Sequence, residues 1–94
     1  MKEKVITDKI IKYLKSEPEC FVFKMHGGMF GMAGIPDIIC CYKGKFVAFE
    51  VKNDKGKLSK LQEATIKKIR NAKGLAFKVI SLDEVKEILV KNWL

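Results

Sequence analysis

The sequence has few soft metal ligands and no long apolar run. It contains one histidine, His26, and three cysteines, none of which belongs to a CxxC pair. These counts argue against a zinc site, and we interpret the cysteines as small buried hydrophobes in a reducing compartment. No apolar run approaches the ~20 residues that span a membrane, and the charged N-terminus lacks the apolar region of a signal peptide. We therefore expect a cytoplasmic protein with no membrane partner.

Acidic residues are also scarce relative to basic ones. The 94 residues include 19 Lys and Arg against 11 Asp and Glu, a net charge of +8. This excess suits a polyanionic partner, most often nucleic acid, although a solvated basic surface has the same composition. The length predicts one domain over residues 1–94, with a modest core formed by 48% hydrophobic residues. So small a core gives marginal stability, which association with a second copy would improve.

The periodicity of apolar residues predicts an α/β protein with the element order α-β-β-β-α-β-α. The predicted elements are a helix over 2–15, strands over 20–26, 35–42 and 46–52, a helix over 59–72, a strand over 76–80 and a last helix that opens at Ser81. Both later helices open on a capping-box pattern, in which Ser59 is followed by Gln62 and Ser81 by Glu84. No repeat, linker or low-complexity segment interrupts this order.

The strand over 46–52 places an acid and a base side by side. Successive strand residues point to opposite faces, so Glu50 and Lys52 share one face with Phe46 and Ala48. The other face carries Val47, Phe49 and Val51, an apolar set typical of a core-facing side. We therefore expect a half-buried strand with two charged residues at its end. Taken alone, Glu50 and Lys52 are equally consistent with an ordinary same-face ion pair.

Asp37 is predicted to lie opposite Glu50. The two-residue connection Lys43-Gly44 predicts a hairpin in which Tyr42 pairs with Lys45, and the same register pairs Asp37 with Glu50. Cross-strand neighbours lie about 5 Å apart. Two carboxylates so close repel each other unless a cation separates them. A bulge would shift this register by one residue.

Such a pair is typical of metal-dependent phosphodiester hydrolysis. Asp37 and Glu50 would supply hard oxygen ligands to a divalent cation such as Mg²⁺, and the main-chain carbonyl of Val51 would be a third ligand. The cation would neutralise charge that develops on the phosphate and would activate water. Lys52 would orient the attacking water or hold a phosphate oxygen.

The motifs of the chain, taken together, resemble the VRR-NUC domain (virus-type replication-repair nuclease) of the PD-(D/E)xK nuclease superfamily. The motifs that carry the resemblance are Gly34-Ile35-Pro36-Asp37, Glu50-Val51-Lys52, Gly56-Lys57-Leu58-Ser59 and Gln62. The resemblance covers nearly the whole chain. It implies a minimal restriction-endonuclease-like fold with a central mixed sheet flanked by helices. It also implies Mg²⁺- or Mn²⁺-dependent DNA cleavage with Asp37, Glu50 and Lys52 as the catalytic core.

Two further site residues follow from the resemblance. Glu3 matches the acidic residue of the family's first helix, which implies a metal ligand, and Gln62 matches the glutamine of the helix after the core, which implies a catalytic role. Each has a structural alternative. Glu3 would also interact favourably with the dipole of the first helix, and Gln62 would serve the capping box.

Stand-alone members of this size resemble phage-encoded proteins that act as homodimers on branched DNA such as four-way (Holliday) junctions. The resemblance therefore implies a DNA partner, a homodimer and, for a phage-encoded chain, the host cytoplasm. The family often carries a basic residue just before Gly-x-Pro-Asp, whereas this chain has Met32 and Ala33 there, so Lys24 or His26 would have to substitute. We predict that five basic residues contact nucleic acid: Lys24, His26, Lys55, Lys57 and Lys60.

Two non-enzymatic interpretations compete. The first is a basic nucleic-acid-binding module, since Gly28 to Gly31 form a GxxG similar to the backbone clamp of KH domains. KH loops, however, join two helices, whereas this loop joins two predicted strands. The second is a structural partner protein that uses Met29, Phe30 and Met32 as an interface. Neither interpretation accounts for the carboxylate pair and its neighbouring lysine.

Overall fold

The structure, a computed structural model, describes residues 1–25 and 33–93. The predictions for His26, for the GxxG of the glycine-rich loop and for its apolar residues lie outside the described residues. None of the described helices combines the length and the apolar character that crossing a membrane requires.

The observed elements follow the predicted order α-β-β-β-α-β-α. They are α1 (Glu3–Ser16), β1 (Cys20–Lys24), β2 (Ile38–Tyr42), β3 (Lys45–Val51), α2 (Lys60–Asn71), β4 (Leu75–Val79) and α3 (Leu82–Asn92). The four strands form one sheet in the order β1-β2-β3-β4. The β1–β2 and β2–β3 pairs are antiparallel, and β3–β4 is parallel with α2 as its crossover connection. This arrangement confirms the predicted mixed sheet.

The β2–β3 hairpin has the predicted register. Tyr42 lies opposite Lys45, and Ile38 lies opposite Phe49. Lys43 and Gly44 both adopt positive φ, at 48° and 86°, as a type I′ turn requires. Because this turn matches the right-handed twist of the strands, the local sequence is sufficient to set the pairing.

Strand β2 begins three residues later than predicted, at Ile38 rather than residue 35. Gly34 turns the chain with a φ of 85°, and Pro36 has no amide hydrogen to donate to a ladder. Asp37 therefore lies in a bend just before the strand. Strand β1 ends at Lys24, two residues before the predicted end.

The two predicted capping boxes form to different extents. At α2, the Ser59 hydroxyl accepts the amide N–H of Gln62 while the Gln62 side chain accepts the N–H of Ser59, so the box is complete. At α3, the Ser81 hydroxyl accepts the N–H of Glu84, but the Glu84 carboxylate accepts the N–H of Ile80 instead of that of Ser81. The second box is thus half formed, although it still caps the helix.

Apolar clusters cover both faces of the sheet. The larger one joins α1 and α3 to the face that carries Val47, Phe49 and Val51. A smaller one places Ile66 of α2 against Ala48 and Ala76 on the opposite face. Strand β3 is therefore buried on both sides over its second half, rather than half-buried as the alternation predicted. This burial decides the environment of the charged residues at its end.

Candidate active site

The structure brings Asp37 and Glu50 together at the end of the β2–β3 hairpin. Glu50 is the penultimate residue of β3, and only 3% of its surface is exposed. Asp37 lies one residue before the last pair of the hairpin, Ile38 opposite Phe49, and its side chain is within hydrogen-bond reach of Glu50. One Asp37 carboxylate oxygen, Oδ2, accepts the amide N–H of Val51 at 2.9 Å, and its main-chain carbonyl accepts the N–H of Met25 at 2.7 Å. Asp37 is thus hydrogen-bonded to two neighbouring segments, to β3 through its side chain and to the residue after β1 through its main chain.

The environment of Glu50 favours a proton or a cation. Burial raises the pKa of Glu50 to about 8, and a hydrogen bond from its protonated form to Asp37 and the negative charge of Asp37 act in the same direction. The Lys52 ammonium lowers this pKa, and the charge of Glu3 raises it slightly. At neutral pH the pair therefore holds a proton when no metal is bound. A divalent cation can take the place of that proton, so the donor chemistry fits Mg²⁺ or Mn²⁺.

Lys52 follows β3 and stays attached to the sheet. Its amide N–H donates to the carbonyl of Val79 at 3.0 Å, which extends the parallel β3–β4 pairing by one residue. Its side chain is half-buried and shares the sheet face of Glu50. Val51, between them, has its amide held by Asp37, so the backbone of all three residues of the Glu-Val-Lys motif is placed by neighbouring segments.

Glu3 lies beside the pair without joining it. Its carboxylate oxygen Oε2 accepts the N–H of Asn53 at 3.4 Å, and its charge affects the pKa of Glu50. Over residues 1–25 and 33–93, no three histidine, cysteine, aspartate or glutamate side chains are close enough to hold one ion. The carboxylates that the structure brings together are therefore Asp37 and Glu50, with Glu3 nearby at the first turn of α1. The role of the Val51 main-chain carbonyl stays a prediction.

Gln62 performs the structural role that the sequence suggested as an alternative. Its side-chain oxygen Oε1 accepts the Ser59 N–H at 2.9 Å at the start of α2. That bond uses the amide oxygen and leaves the NH₂ group of the side chain to donate elsewhere. The capping role is confirmed, and the catalytic role stays a prediction.

The predicted nucleic-acid contacts fall into two places. Lys55, Lys57 and Lys60 are exposed along the segment that joins β3 to α2, directly after the Glu-Val-Lys motif. Lys24 lies opposite Ile38 in the sheet register, on the α1 side, and its ammonium pairs with Asp8 at 3.4 Å. Three of the lysines thus follow the Glu-Val-Lys motif at exposed positions of the chain, whereas Lys24 lies on the α1 face of the sheet, the face opposite to that of Glu50.

Gly34 fits the bend before Asp37 closely against α2. A Cβ at this position would lie 2.8 Å from Leu61 Cγ and 2.8 Å from Thr65 Oγ1. The φ of 85° independently disfavours any other residue. The glycine of the Gly-Ile-Pro-Asp motif therefore lets α2 approach the segment that delivers Asp37.

We expect Gly34→Ala to lower the free energy of unfolding by about 2–5 kcal/mol, as the sum of left-handed backbone strain and overpacking. Gly44→Ala is the matched control, because its φ is 86° but a Cβ there would meet no atom within 4 Å. Gly44→Ala should lower the free energy of unfolding only by the backbone strain, about 1–2 kcal/mol. Urea denaturation measures both, and equal losses would contradict close packing at Gly34.

Sequence reasoning did not single out Asn53. Its amide contacts Glu3, and its side-chain oxygen Oδ1 accepts the N–H of Lys55 at 3.0 Å. The pattern Asn-x-x-Gly over Asn53 to Gly56 is a turn signature that could have indicated this role.

Two solved structures resemble nearly the whole chain. One, described as a VRR_NUC domain, covers 98% of this chain and 97% of its own with a TM-score of 0.78 and 20% sequence identity. Another, described as a VRR_NUC domain protein, covers 95% of this chain and 85% of its own with a TM-score of 0.75 and 18% identity. No protein-family model and no curated protein matches the chain. The chain therefore has the fold of the VRR_NUC domain, which is the fold that its motifs predicted.

Proposed function

We propose that this protein is an Mg²⁺- or Mn²⁺-dependent endodeoxyribonuclease that hydrolyses phosphodiester bonds. The observation that carries the proposal is the buried Glu50 carboxylate with the Asp37 carboxylate directly beside it, an arrangement in which burial and the charge of Asp37 raise the pKa of Glu50. A structural ion network would place a basic group between two such carboxylates. Here the neighbouring Lys52 only partly offsets the raised pKa of Glu50. The fold of the VRR_NUC domain supports the same assignment.

Each residue has a defined task in this proposal. Asp37 and Glu50 hold the cation with the Val51 carbonyl, and Glu3 completes the set through water, as is common for magnesium. The cation supplies positive charge that stabilises the transition state and makes water a better nucleophile. Lys52 donates to a phosphate oxygen or to the attacking water. The free NH₂ group of Gln62 donates to the same phosphate region.

The lysines after β3 would hold the DNA backbone. Lys55, Lys57 and Lys60 are exposed and close in sequence to Lys52, so a strand that reaches the carboxylates would pass near them. Phosphate contacts of this kind position a duplex without reading its bases. This agrees with a nuclease that selects DNA by structure, such as a four-way junction, rather than by sequence.

The test is to incubate the protein with a labelled four-way junction, a matched duplex and a single strand, each with Mg²⁺, Mn²⁺ or EDTA. Metal-dependent cleavage of the junction alone would support the whole proposal. Equal cleavage of every substrate would retain the nuclease and remove the preference for branched DNA. Tight binding without cleavage under either metal would favour a basic nucleic-acid-binding module instead.

A homodimer is the second part of the proposal, and apolar side chains on one face of the sheet support it. Over residues 1–25 and 33–93, α2 packs on β3 and β4 of this face, and the apolar side chains beyond it, on β1, on β2 and at the start of β3, are exposed or partly exposed. We call this area the open sheet face. It consists of Phe21, Phe23, Ile39, Cys41 and Phe46. Phe21 is 68% exposed and Phe23 is 43% exposed, with ring centroids 5.9 Å apart.

The chemistry of the open sheet face suits a second copy better than DNA. None of its five residues is charged, although the chain has a net charge of +8. DNA would gain little binding energy there, because the face offers no positive charge to its phosphates. Two copies related by a two-fold axis would instead each bury this apolar surface against the other. Two copies also bring two sites, and resolution of a four-way junction needs two incisions.

We expect the wild-type protein to sediment as a dimer of twice its 10.7 kDa chain mass, and Phe21→Glu to sediment as a monomer. A charge in the apolar interface would be desolvated without a partner. Val90→Glu is the control, since Val90 is 59% exposed on α3 and lies outside the open sheet face. A wild-type monomer at all concentrations, with or without DNA, would remove the dimer and leave the nuclease proposal intact.

A further inference from the structure

A tight turn follows Lys52 immediately. The carbonyl of Asn53 accepts the N–H of Gly56 at 3.0 Å, which closes a four-residue turn. Inside it, the Asn53 side chain accepts the N–H of Lys55 at 3.0 Å and so mimics a second turn. The chain therefore reverses at once after the Glu-Val-Lys motif and returns alongside it.

The returning segment lies against the Lys52 side chain. A Cβ at Gly56 would lie 3.1 Å from Lys52 Cβ, 3.3 Å from Lys52 Cδ and 3.4 Å from Asn53 Oδ1. Gly56 does not adopt a positive φ, unlike Gly34 and Gly44. Backbone conformation therefore does not require glycine here. The close approach to the stem of Lys52 favours it instead, because a Cβ would push that stem by a few tenths of an ångström.

This turn is attached to two other elements. The amide of Lys52 is bound to Val79 at the end of β4, and the amide of Asn53 is bound to the Glu3 carboxylate of α1. The backbone at residues 52 and 53 is thus held from both sides. The four-carbon stem of a lysine is flexible unless it is packed. The turn at Gly56 passes so close to that stem, from Cβ to Cδ, that a Cβ at position 56 would displace it.

We propose that Gly56 is a positioning residue for Lys52: the Asn53–Gly56 turn restricts the lysine stem and so directs its ammonium group toward the carboxylate pair. The proposal rests on the proposed function, in which Lys52 acts on the phosphate or on water. It extends that function to a residue outside the carboxylate–lysine core. A side chain at position 56 moves the stem of Lys52 by a few tenths of an ångström at its base, and this displacement grows toward the ammonium group.

A double-mutant cycle with Gly56→Ala, Lys52→Ala and the combined variant tests this mechanism. We expect Gly56→Ala to lower the single-turnover cleavage rate about 10–100-fold, since small misplacements of a catalytic group have effects of this size. The DNA concentration at half-saturation should change little. In the Lys52→Ala background, Gly56→Ala should cause almost no further loss, because the group that it positions is absent. An equal loss in both backgrounds would overturn the proposal.

A second measurement is independent of cleavage. In spectra of protein labelled at the lysine ε-carbons, Lys52→Ala identifies the Lys52 signal by its disappearance. We expect Gly56→Ala to shift that signal, and we expect Gly44→Ala, which is also a glycine-to-alanine change but lies in the β2–β3 turn, to leave it in place. An unchanged Lys52 signal in Gly56→Ala would overturn the proposal.

The two measurements separate this proposal from the proposed function. If the wild-type protein cleaves no DNA but Gly56→Ala shifts the Lys52 signal and Gly44→Ala does not, the turn positions Lys52 and the nuclease assignment fails. If cleavage is metal-dependent but the cycle is additive, the nuclease assignment stands and the positioning role fails.

Discussion

Replacement of Glu50 by glutamine, or of Asp37 by asparagine, is expected to lower the rate of metal-dependent DNA cleavage at least about 10²–10³-fold. Each change removes a negative charge that would hold the cation, and loss of a single preorganised electrostatic group commonly has effects of this size. Asp37→Asn keeps an oxygen that can accept the Val51 N–H, so it tests charge rather than backbone support. Single-turnover rates at saturating Mg²⁺ are the measurement.

Glu87→Gln provides the matched control for these variants. Glu87 is an exposed acid of α3, and its neutralisation removes the same charge from the chain without touching the carboxylate pair. It should cleave at the wild-type rate. If Glu50→Gln and Asp37→Asn also cleaved at that rate, the pair would not be the catalytic centre, and its raised pKa would need a purely structural explanation.

The stability of the metal-free protein should fall as pH rises from about 4.5 to about 8. The pKa of Glu50 is raised from 4.5 to about 8 in the folded state, mainly by burial. Below pH 4.5 the group is protonated in both states and contributes no penalty. Between the two values the unfolded chain loses the proton while the folded chain retains it, so unfolding becomes easier. The free energy of unfolding should decrease by up to a few kcal/mol over this range.

Chemical denaturation in EDTA at several pH values measures this effect. Glu50→Gln should remove most of the pH dependence and should be more stable than the wild-type protein at pH 8, although it is inactive. Glu87→Gln should retain the dependence. Mg²⁺ at pH 8 should stabilise the wild-type protein and not Glu50→Gln, because a ligand stabilises only the state that binds it. A wild-type stability that did not change between pH 4.5 and 8 would contradict the shifted pKa.

In these expected results, the stability of the fold and the catalytic activity place opposite demands on Glu50. A carboxylate buried on a strand that is covered on both faces is unfavourable for the folded chain without a cation. The same burial makes the site a good place for a divalent cation. We therefore expect substitutions at Glu50 to improve stability and abolish cleavage, a trade-off that is common at functional sites.

By itself, the sequence determined the features that depend on neighbours along the chain. The Lys43-Gly44 turn and the alternation of β3 were sufficient to predict the register that pairs Ile38 with Phe49 and brings Asp37 beside Glu50, because turn type sets hairpin register. Ser59 and Gln62, three residues apart, were sufficient to predict the complete capping box of α2. Each of these signals acts over a few residues, so no knowledge of distant packing was needed.

Only the tertiary structure decided the features that depend on what lies across the core. Helix α2 buries the second face of β3, which turns Glu50 from an acid at the end of a half-buried strand into one with a strongly raised pKa. Asp8 of α1 pairs with Lys24 at 3.4 Å, an ion pair between separate elements that the periodicity of β1 does not predict. Gly56 lies next to the Lys52 stem because a turn brings the chain back. Burial and charge pairing arise between segments far apart in sequence, and periodicity along one segment carries no information about its distant partners.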